Sequence, residues 1–379
     1  MTFTSATVLY GGSAVEFGLP GGHAIKFHSI WLRYFAPHQS TFDRVTGDRI
    51  SRVTDMARHT VVLSAVTNGD TVKIEFYPDN LTIVYESAWL LANRYDTVRS
   101  DQPGWVSDDI MVWDSRITNT IEFVDFNQVR EDRLVLSWWL KSVQQTGIGA
   151  MKNCPILSGG LMQIALMFGQ PRLGPGGEWS DERVQRDFTE EDFQRLNQQV
   201  ETDHAFWDHA PSMQLIYCLE NSDNATDILL VDGFEAVHRL RRKRPDHFET
   251  LYRLNGRWGA VDDDHMFHTA KHPIIELGPD GELRAVRFSN RTAAPFIDIP
   301  YPKMPAFFDA YIELSRILDE PKLAVPLTLQ PGDCLLLDNA RVLTAPHVKF
   351  SPTSYWMQRC FIDSDSVSAT LNTIEAELY

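Results

Sequence analysis

The sequence predicts a mainly β chain with flanking helices: a jelly roll preceded by a small N-terminal β domain. Three features point there. Short β-branched, partly alternating runs fill residues 8–95. From Ser212 onward, strand-like runs are separated by long insertions. The helical patterns fall between those runs without the regular alternation of a βαβ repeat. Strands divided by insertions, with helices added outside, suit a jelly roll. A chain of 379 residues can bury one large core or two modest ones. The expected division is a β-rich domain at 1–95, a linker at 96–126 and the jelly-roll domain at 127–379.

In the first unit, His59-Thr-Val-Val-Leu-Ser, Thr71-Val-Lys-Ile-Glu-Phe-Tyr and Leu81-Thr-Ile-Val-Tyr read as strands, with Asn-Gly-Asp and Pro-Asp-Asn as turns. Residues 96–126 carry few periodic signals, and Asp101-Gln-Pro-Gly reads as a turn. Asn127 to Thr146 has helical spacing with Gly147 as its stop, and its pair Trp138-Trp139 reads as core. Residues 170–200 are polar, with a Gly-Pro-Gly-Gly break at 174–177, and read as a mobile loop where a lid could sit. Met213-Gln-Leu-Ile-Tyr-Cys-Leu and Asp227-Ile-Leu-Leu-Val-Asp are strands, and Gly233 to Leu251 is a helix broken at Pro245. Pro273-Ile-Ile-Glu-Leu, a Pro-Asp-Gly turn at 279–281 and Leu283-Arg-Ala-Val-Arg-Phe form a hairpin. Pro305 to Asp319 is an amphipathic helix. Val325-Pro-Leu-Thr-Leu, Cys334-Leu-Leu-Leu-Asp and Tyr355-Trp-Met-Gln-Arg-Cys-Phe-Ile complete the strands.

A net charge of −16 repels phosphate backbones and anionic membranes, so nucleic acid and membrane are not expected partners. The basic run Arg239, Arg241, Arg242, Lys243, Arg244 reads as a solvated helix face. The four cysteines form no C-x-x-C pair and read as reduced, buried thiols. No signal peptide or membrane-length apolar run is visible, so the expected location is cytoplasmic and the three Asn-x-Thr triplets read as chance. The expected partner is a small-molecule substrate, with a homodimer left open.

The ordered set Thr202-Asp203, His209-Ala-Pro-Ser-Met-Gln-Leu-Ile-Tyr-Cys, Val231-Asp-Gly-Phe, His272-Pro-Ile-Ile-Glu-Leu, Gln330-Pro-Gly-Asp, Leu337-Asp-Asn-Ala-Arg-Val-Leu and Arg359 resembles the γ-butyrobetaine and trimethyllysine hydroxylase branch of the taurine-dioxygenase-like superfamily. The resemblance covers residues 140–379 and continues weakly into the N-terminal unit through Trp31-Leu-Arg. It implies the double-stranded β-helix of the iron(II)/2-oxoglutarate oxygenases. The N-terminal unit often carries a cysteine-rich zinc site in that family, but here no cysteine precedes Cys154, so no zinc site is expected.

The family binds iron through a His-x-Asp pair and a distal histidine, because two imidazoles and a carboxylate hold one face of Fe(II) and leave three positions open. Here the first position reads Glu201-Thr202-Asp203 and the distal one reads Thr344. His347 lies three residues past the distal position and would need a strand shift to enter. His265, His268 and His272, beside Asp262-Asp-Asp264, have zinc-like spacing on a helix, but the resemblance places them in a loop. Arg359 matches the arginine that pairs with the distal carboxylate of 2-oxoglutarate.

These substitutions lead to the expectation of a metal-free enzyme, without iron or 2-oxoglutarate as cofactor. It would catalyse dehydration, cyclisation or a pericyclic cycloaddition on a hydrophobic, secondary-metabolite-type molecule. The catalytic candidates are Asp203, Glu201, His209 and His204; the substrate-binding candidates are Phe206, Trp207, Thr344, His347 and Arg359. No metal ligand is assigned. Asp203 and Glu201 are expected on one strand face, where mutual repulsion would leave one carboxyl protonated near neutrality as a donor. His204, the next residue, is expected on the opposite face. Two alternatives stand: an Fe(II)/2-oxoglutarate oxygenase with unorthodox ligands, and an inactive oxygenase-like binding protein.

Overall fold

A computed structural model describes residues 2–43, 45–96, 102–173, 177–185, 189–196, 198–261, 265–349 and 354–378. Its contacts divide the chain into two units, Met1–Ser100 and Asp101–Tyr379.

The first unit holds two antiparallel three-stranded sheets, Ser5–Leu9, Ala14–Gly18, Ala24–His28 and Val61–Asn68, Thr71–Tyr77, Thr82–Glu86. Alternation along Thr71–Tyr77 sends Val72, Ile74 and Phe76 into the core and leaves Lys73 and Tyr77 outside. Phe17, Phe27 and Tyr85 complete that core.

The second unit is mostly β with flanking helices, in a jelly-roll arrangement. Its larger sheet runs Ser180–Gln185, Ser354–Ile362, Met213–Asn221, Cys334–Asp338, Ile148–Lys152 and Phe123–Asp125. The smaller is Val325–Leu327, Thr226–Asp232 and Val342–Val348. Strand Met213–Asn221 is apolar on both faces because both are covered. Ile216 and Cys218 meet Ile228, Leu230 and Val342 of the smaller sheet. Leu215, Tyr217 and Leu219 meet Trp139, Val143 and Leu371 of the outer helices. Helices Gly233–Lys243, Pro245–Arg253 and Met304–Leu318 close a third cluster around Phe234, Phe288 and Phe307.

Several local expectations change. The helix of residues 127–146 is two, Phe126–Glu131 and Arg133–Thr146, because Asp132 adopts an extended conformation (φ −113°, ψ 111°) and caps the second through Leu134 N and Val135 N. Trp139 is core, whereas Trp138 is exposed. Gly147 does end the helix, in the left-handed conformation (φ 76°) that Gly tolerates. Residues 170–200 are not simply loop: Ser180–Gln185 adds an edge strand onto Ser354–Ile362, and Glu190–Leu196 is helical. Gly174–Gly176 lie outside the described residues. So do Asp262–Asp264, but His268 and His272 sit on strand Phe267–Pro273, paired with Asn255–Val261, not in a loop. The basic run is a helix face held by Glu235, Glu320, Glu313 and Asp246. All four cysteines are free and buried. Among the described residues, no helix is long and apolar enough to cross a membrane.

Candidate functional site

The chain enters the site through residues 199–204. Glu201 bridges Thr344 of the smaller sheet by two backbone hydrogen bonds of 3.0 Å. Thr202 donates from N to Phe288 O (2.7 Å) and from Oγ1 to Val286 O (2.8 Å). Asp203 N donates to Asn339 Oδ1 (2.9 Å), and Asn339 Nδ2 donates to Asp203 O and Pro211 O. The backbone under the two carboxylates is therefore fixed from three sides.

Asp203 is buried, and its carboxylate is surrounded by donors. Gln214 Nε2 donates to Oδ2, and His204 N donates to Oδ1 at 3.0 Å. His204 Nδ1 also lies 3.0 Å from Oδ1, and Arg359 Nη1 lies 3.7 Å from Oδ2. Burial alone would raise this carboxyl. His204, Arg359 and Arg291 outweigh it and hold the group well below the usual carboxylate range. Of the two carboxyls, one of which was expected to stay protonated, Asp203 is therefore not the donor, because hydrogen-bond donors and the Arg359 guanidinium surround it. His204 is also not on the opposite face. Its φ of 52° turns the chain out of strand geometry and folds the ring back onto Asp203. Phe206, Trp207 and Phe361 pack around that ring at centroid distances of 5.2, 5.0 and 4.7 Å.

Glu201 faces Arg291, which donates to Oε1 from both Nε (2.9 Å) and Nη2, while Ser289 Oγ donates to Oε2 at 2.5 Å. Arg359 Nη2 donates to Glu182 Oε2 (2.9 Å), and its buried Nε has no hydrogen-bond partner among the described residues. Burial alone would lower the Arg359 pKa. Glu182, Asp203 and further anionic neighbours outweigh it and raise the guanidinium's pKa. A cavity of about 390 Å³ joins these groups, lined by Asp181, Glu182, Arg183, Glu201, Asp203, His204, Arg291, Thr344 and Arg359 among others.

Of the residues singled out in the sequence, Glu201, Asp203, His204, Thr344 and Arg359 meet at this cavity. Phe206 and Trp207 stand behind His204 and are not among its lining residues. His209 lines a separate cavity of about 220 Å³ with Asp208, His272 and Glu276. His347 is exposed on its strand and lines neither cavity. Arg291 and Glu182 went unseen in the sequence. Arg291 stood only in a glycosylation-like triplet, and Glu182 in a polar stretch.

Fold and site together are a jelly roll with a charged cavity. The chain belongs to the taurine catabolism dioxygenase TauD, TfdA family, whose model matches residues 105–361. It is 25% identical over 366 residues to γ-butyrobetaine dioxygenase of Pseudomonas sp. (strain AK-1), covering 96% of this chain and 94% of that one. It is 26% identical over 364 residues to mitochondrial trimethyllysine dioxygenase of Mus musculus, covering 93% and 83%. Among solved structures, asparagine oxygenase in complex with Fe(II), 2S,3S-3-hydroxyasparagine and succinate aligns with a TM-score of 0.48 at 18% identity, over 73% of this chain and 89% of that one.

These findings correct the functional expectation. A metal-free, non-oxidative cyclase or pericyclase without cofactors is overturned by a dioxygenase family match and by dioxygenase relatives along nearly the whole chain. At the coarse level the chain is an enzyme of an oxygenase family, for which iron and 2-oxoglutarate are the expected cofactors. The side chains as placed do not fit that iron, however. Glu201 and Thr344 stand in the two histidine positions, the Glu201 carboxylate is committed to Arg291 and Ser289, and Asp203 is ringed by donors. Among the described residues, no group of three His, Cys, Asp or Glu is placed to hold a metal ion.

Proposed function

We propose that this chain is a TauD-family oxygenase that acts on a small zwitterion. One observation carries the substrate class. A single cavity presents the guanidiniums of Arg291 and Arg359 together with the carboxylates of Asp181, Glu182, Glu201 and Asp203. A molecule bearing both an anionic and a cationic group finds complementary charge on such walls. The names of the two dioxygenase relatives, γ-butyrobetaine and trimethyllysine, describe molecules of that kind. Arg359 lines the cavity and would take a carboxylate there, and Asp203 holds His204 and Arg359 in place. The walls exclude an apolar substrate, because desolvating so many charged groups against hydrocarbon is unfavourable.

The test is oxygen uptake and succinate release with Fe(II), 2-oxoglutarate and a panel of betaines and amino acids. Substrate-dependent uptake is expected. Asp203→Asn should lower it, because His204 and Arg359 lose the carboxylate that holds them. Tight binding of a zwitterion with no oxygen uptake would replace this reading with that of a non-turnover binding protein.

A further inference from the structure

The Glu201–Arg291 pair differs from an ordinary surface ion pair in how its two halves are mounted. The residues on both sides of Arg291 are held by hydrogen bonds. Asn290 Nδ2 donates to Gln199 Oε1 (2.5 Å), and Tyr311 OH donates to Asn290 Oδ1 (2.7 Å). Thr292 donates to Ser289 Oγ from N (3.1 Å) and from Oγ1 (2.8 Å). Its side chain is nonetheless half exposed, at 50%, and lines the cavity. Glu201 is the reverse: its side chain is only 16% exposed, its backbone is bridged to Thr344, and Ser289 Oγ holds its second oxygen. The arrangement is a half-exposed cation on a braced loop, resting on a shielded anion.

Both Arg291 contacts reach the same carboxylate oxygen, Glu201 Oε1, and the guanidinium's Nη1 makes no hydrogen bond among the described residues. A planar guanidinium prefers to grip two oxygens side by side. A ligand carboxylate can offer that grip where Glu201, tied to Ser289, does not. If Arg291 turned to such a ligand, Glu201 would be left as a shielded charge without its cation, an unfavourable state unless the ligand brings one. A ligand carrying a cation on the same molecule restores the balance; a simple carboxylate does not.

We propose that Glu201 and Arg291 form an exchangeable charge pair that selects zwitterions: the ligand's carboxylate takes Arg291 from Glu201, and the ligand's cationic group takes its place beside Glu201. This rests on the zwitterion reading above and assigns the two residues that enforce it. Arg291 and Glu201 are specificity-determining residues here. Their role is read by binding alone.

Calorimetric titration of the full chain with γ-butyrobetaine and with butyrate, which keeps the carboxylate and lacks the cation, tests it. The wild type should bind γ-butyrobetaine more tightly than butyrate. Arg291→Gln should weaken γ-butyrobetaine binding roughly 10–100-fold, the range for a lost hydrogen-bonded charge contact. Arg291→Lys should lose less. Glu201→Gln should tighten butyrate, by removing its competitor for Arg291, and erase the advantage of the zwitterion. Circular dichroism checks that each variant folds; should Arg291→Gln fail to fold, Arg291→Lys and Glu201→Gln decide. An unchanged γ-butyrobetaine affinity in a folded Arg291 variant overturns the proposal, as does an unchanged preference in Glu201→Gln. A wild type that binds neither probe overturns it as well, and leaves the oxygenase reading to stand or fall on oxygen uptake.

Discussion

Two arginine–carboxylate pairs in the second unit use the same chemistry to opposite ends. Arg341 and Asp232 are both completely buried. Arg341 donates from Nε to Asp232 Oδ1 (3.0 Å) and from Nη2 to Oδ2 (2.8 Å), and its guanidinium also reaches Gln145 O and Met111 O. Asp232 accepts two further backbone bonds, from Trp113 N and Phe234 N, and so caps helix Gly233–Lys243. One ion pair thus ties together the segment at 111–113, two helices and a strand junction. At the cavity, Arg291 contacts one oxygen of Glu201 and stays half exposed, while Arg359 keeps a buried Nε without a partner among the described residues. A buried charge with its bonds filled belongs to the scaffold. A charge with bonds left over is available to a ligand.

The largest expected effect lies on the scaffold pair. Arg341→Met leaves Asp232 as a buried charge without its cation and strips bonds from two backbone carbonyls. Unfolding in urea should show a loss of roughly 3–5 kcal/mol, the usual cost of breaking a buried pair from one side. Asp232→Leu in the same chain should recover part of it, since no lone charge then remains. A loss below about 1 kcal/mol would put this pair in the class of surface pairs and remove the contrast.

The legibility of these two regions in the sequence differs for the same reason. Strand Thr71–Tyr77 could be placed residue for residue, because alternation of Val72, Ile74 and Phe76 is a local pattern set by one covered face. The Gly147 stop and the turn at Gly281 were likewise local, each needing a positive φ. The cavity was only half legible. Asp203, Glu201, Thr344 and Arg359 were found through an ordered motif set. Arg291 arrives from a loop some ninety positions away, and nothing near it in sequence marks the Glu201 contact. The left-handed turn at His204 depends on Asp203 and the aromatic rings around it, so period-2 reasoning sent that side chain the wrong way. His209 lies apart for a similar reason: six positions along a turning chain carry it into another cavity.

A second prediction sharpens the contrast through pH. Asp338 sits beside the scaffold pair, and burial pushes its carboxyl up to about 6, against the pull of Arg341 and the Ala340 N–H. Unfolded, it would titrate near 4. The native state therefore keeps a proton that the unfolded state has released between those two values. The contribution is fully present at low pH and is lost as pH rises from about 4 to about 6. Asp203 has the opposite sign: its carboxyl is held low, so its contribution is present above the unfolded value and is lost as pH falls towards its depressed native one. Asp338→Asn, which keeps an acceptor for Ala340 N, should stabilise the protein at pH 7 by roughly 2 kcal/mol or less and flatten the stability profile between about pH 4 and 6. An unchanged profile would mean that water or a nearby cation already neutralises Asp338.

The smallest effect is expected at the cavity pair. Double substitution of Glu201 and Arg291 to Gln, compared with each single change, isolates their coupling in the ligand-free protein. Arg291 is half exposed, so water replaces much of what it loses, and its long side chain regains rotamer freedom. Glu201 is more shielded, but Ser289 Oγ and the Thr344 bridge remain to hold its position. The coupling should therefore be no more than about 1 kcal/mol, within the range of surface pairs and far below that of Asp232–Arg341. It should also shrink as salt is added, because an accessible pair is screened where a buried one is not. A salt-insensitive coupling of several kcal/mol would mean that Glu201 and Arg291 are locked together as scaffold, and a pair locked in that way cannot exchange partners with a ligand.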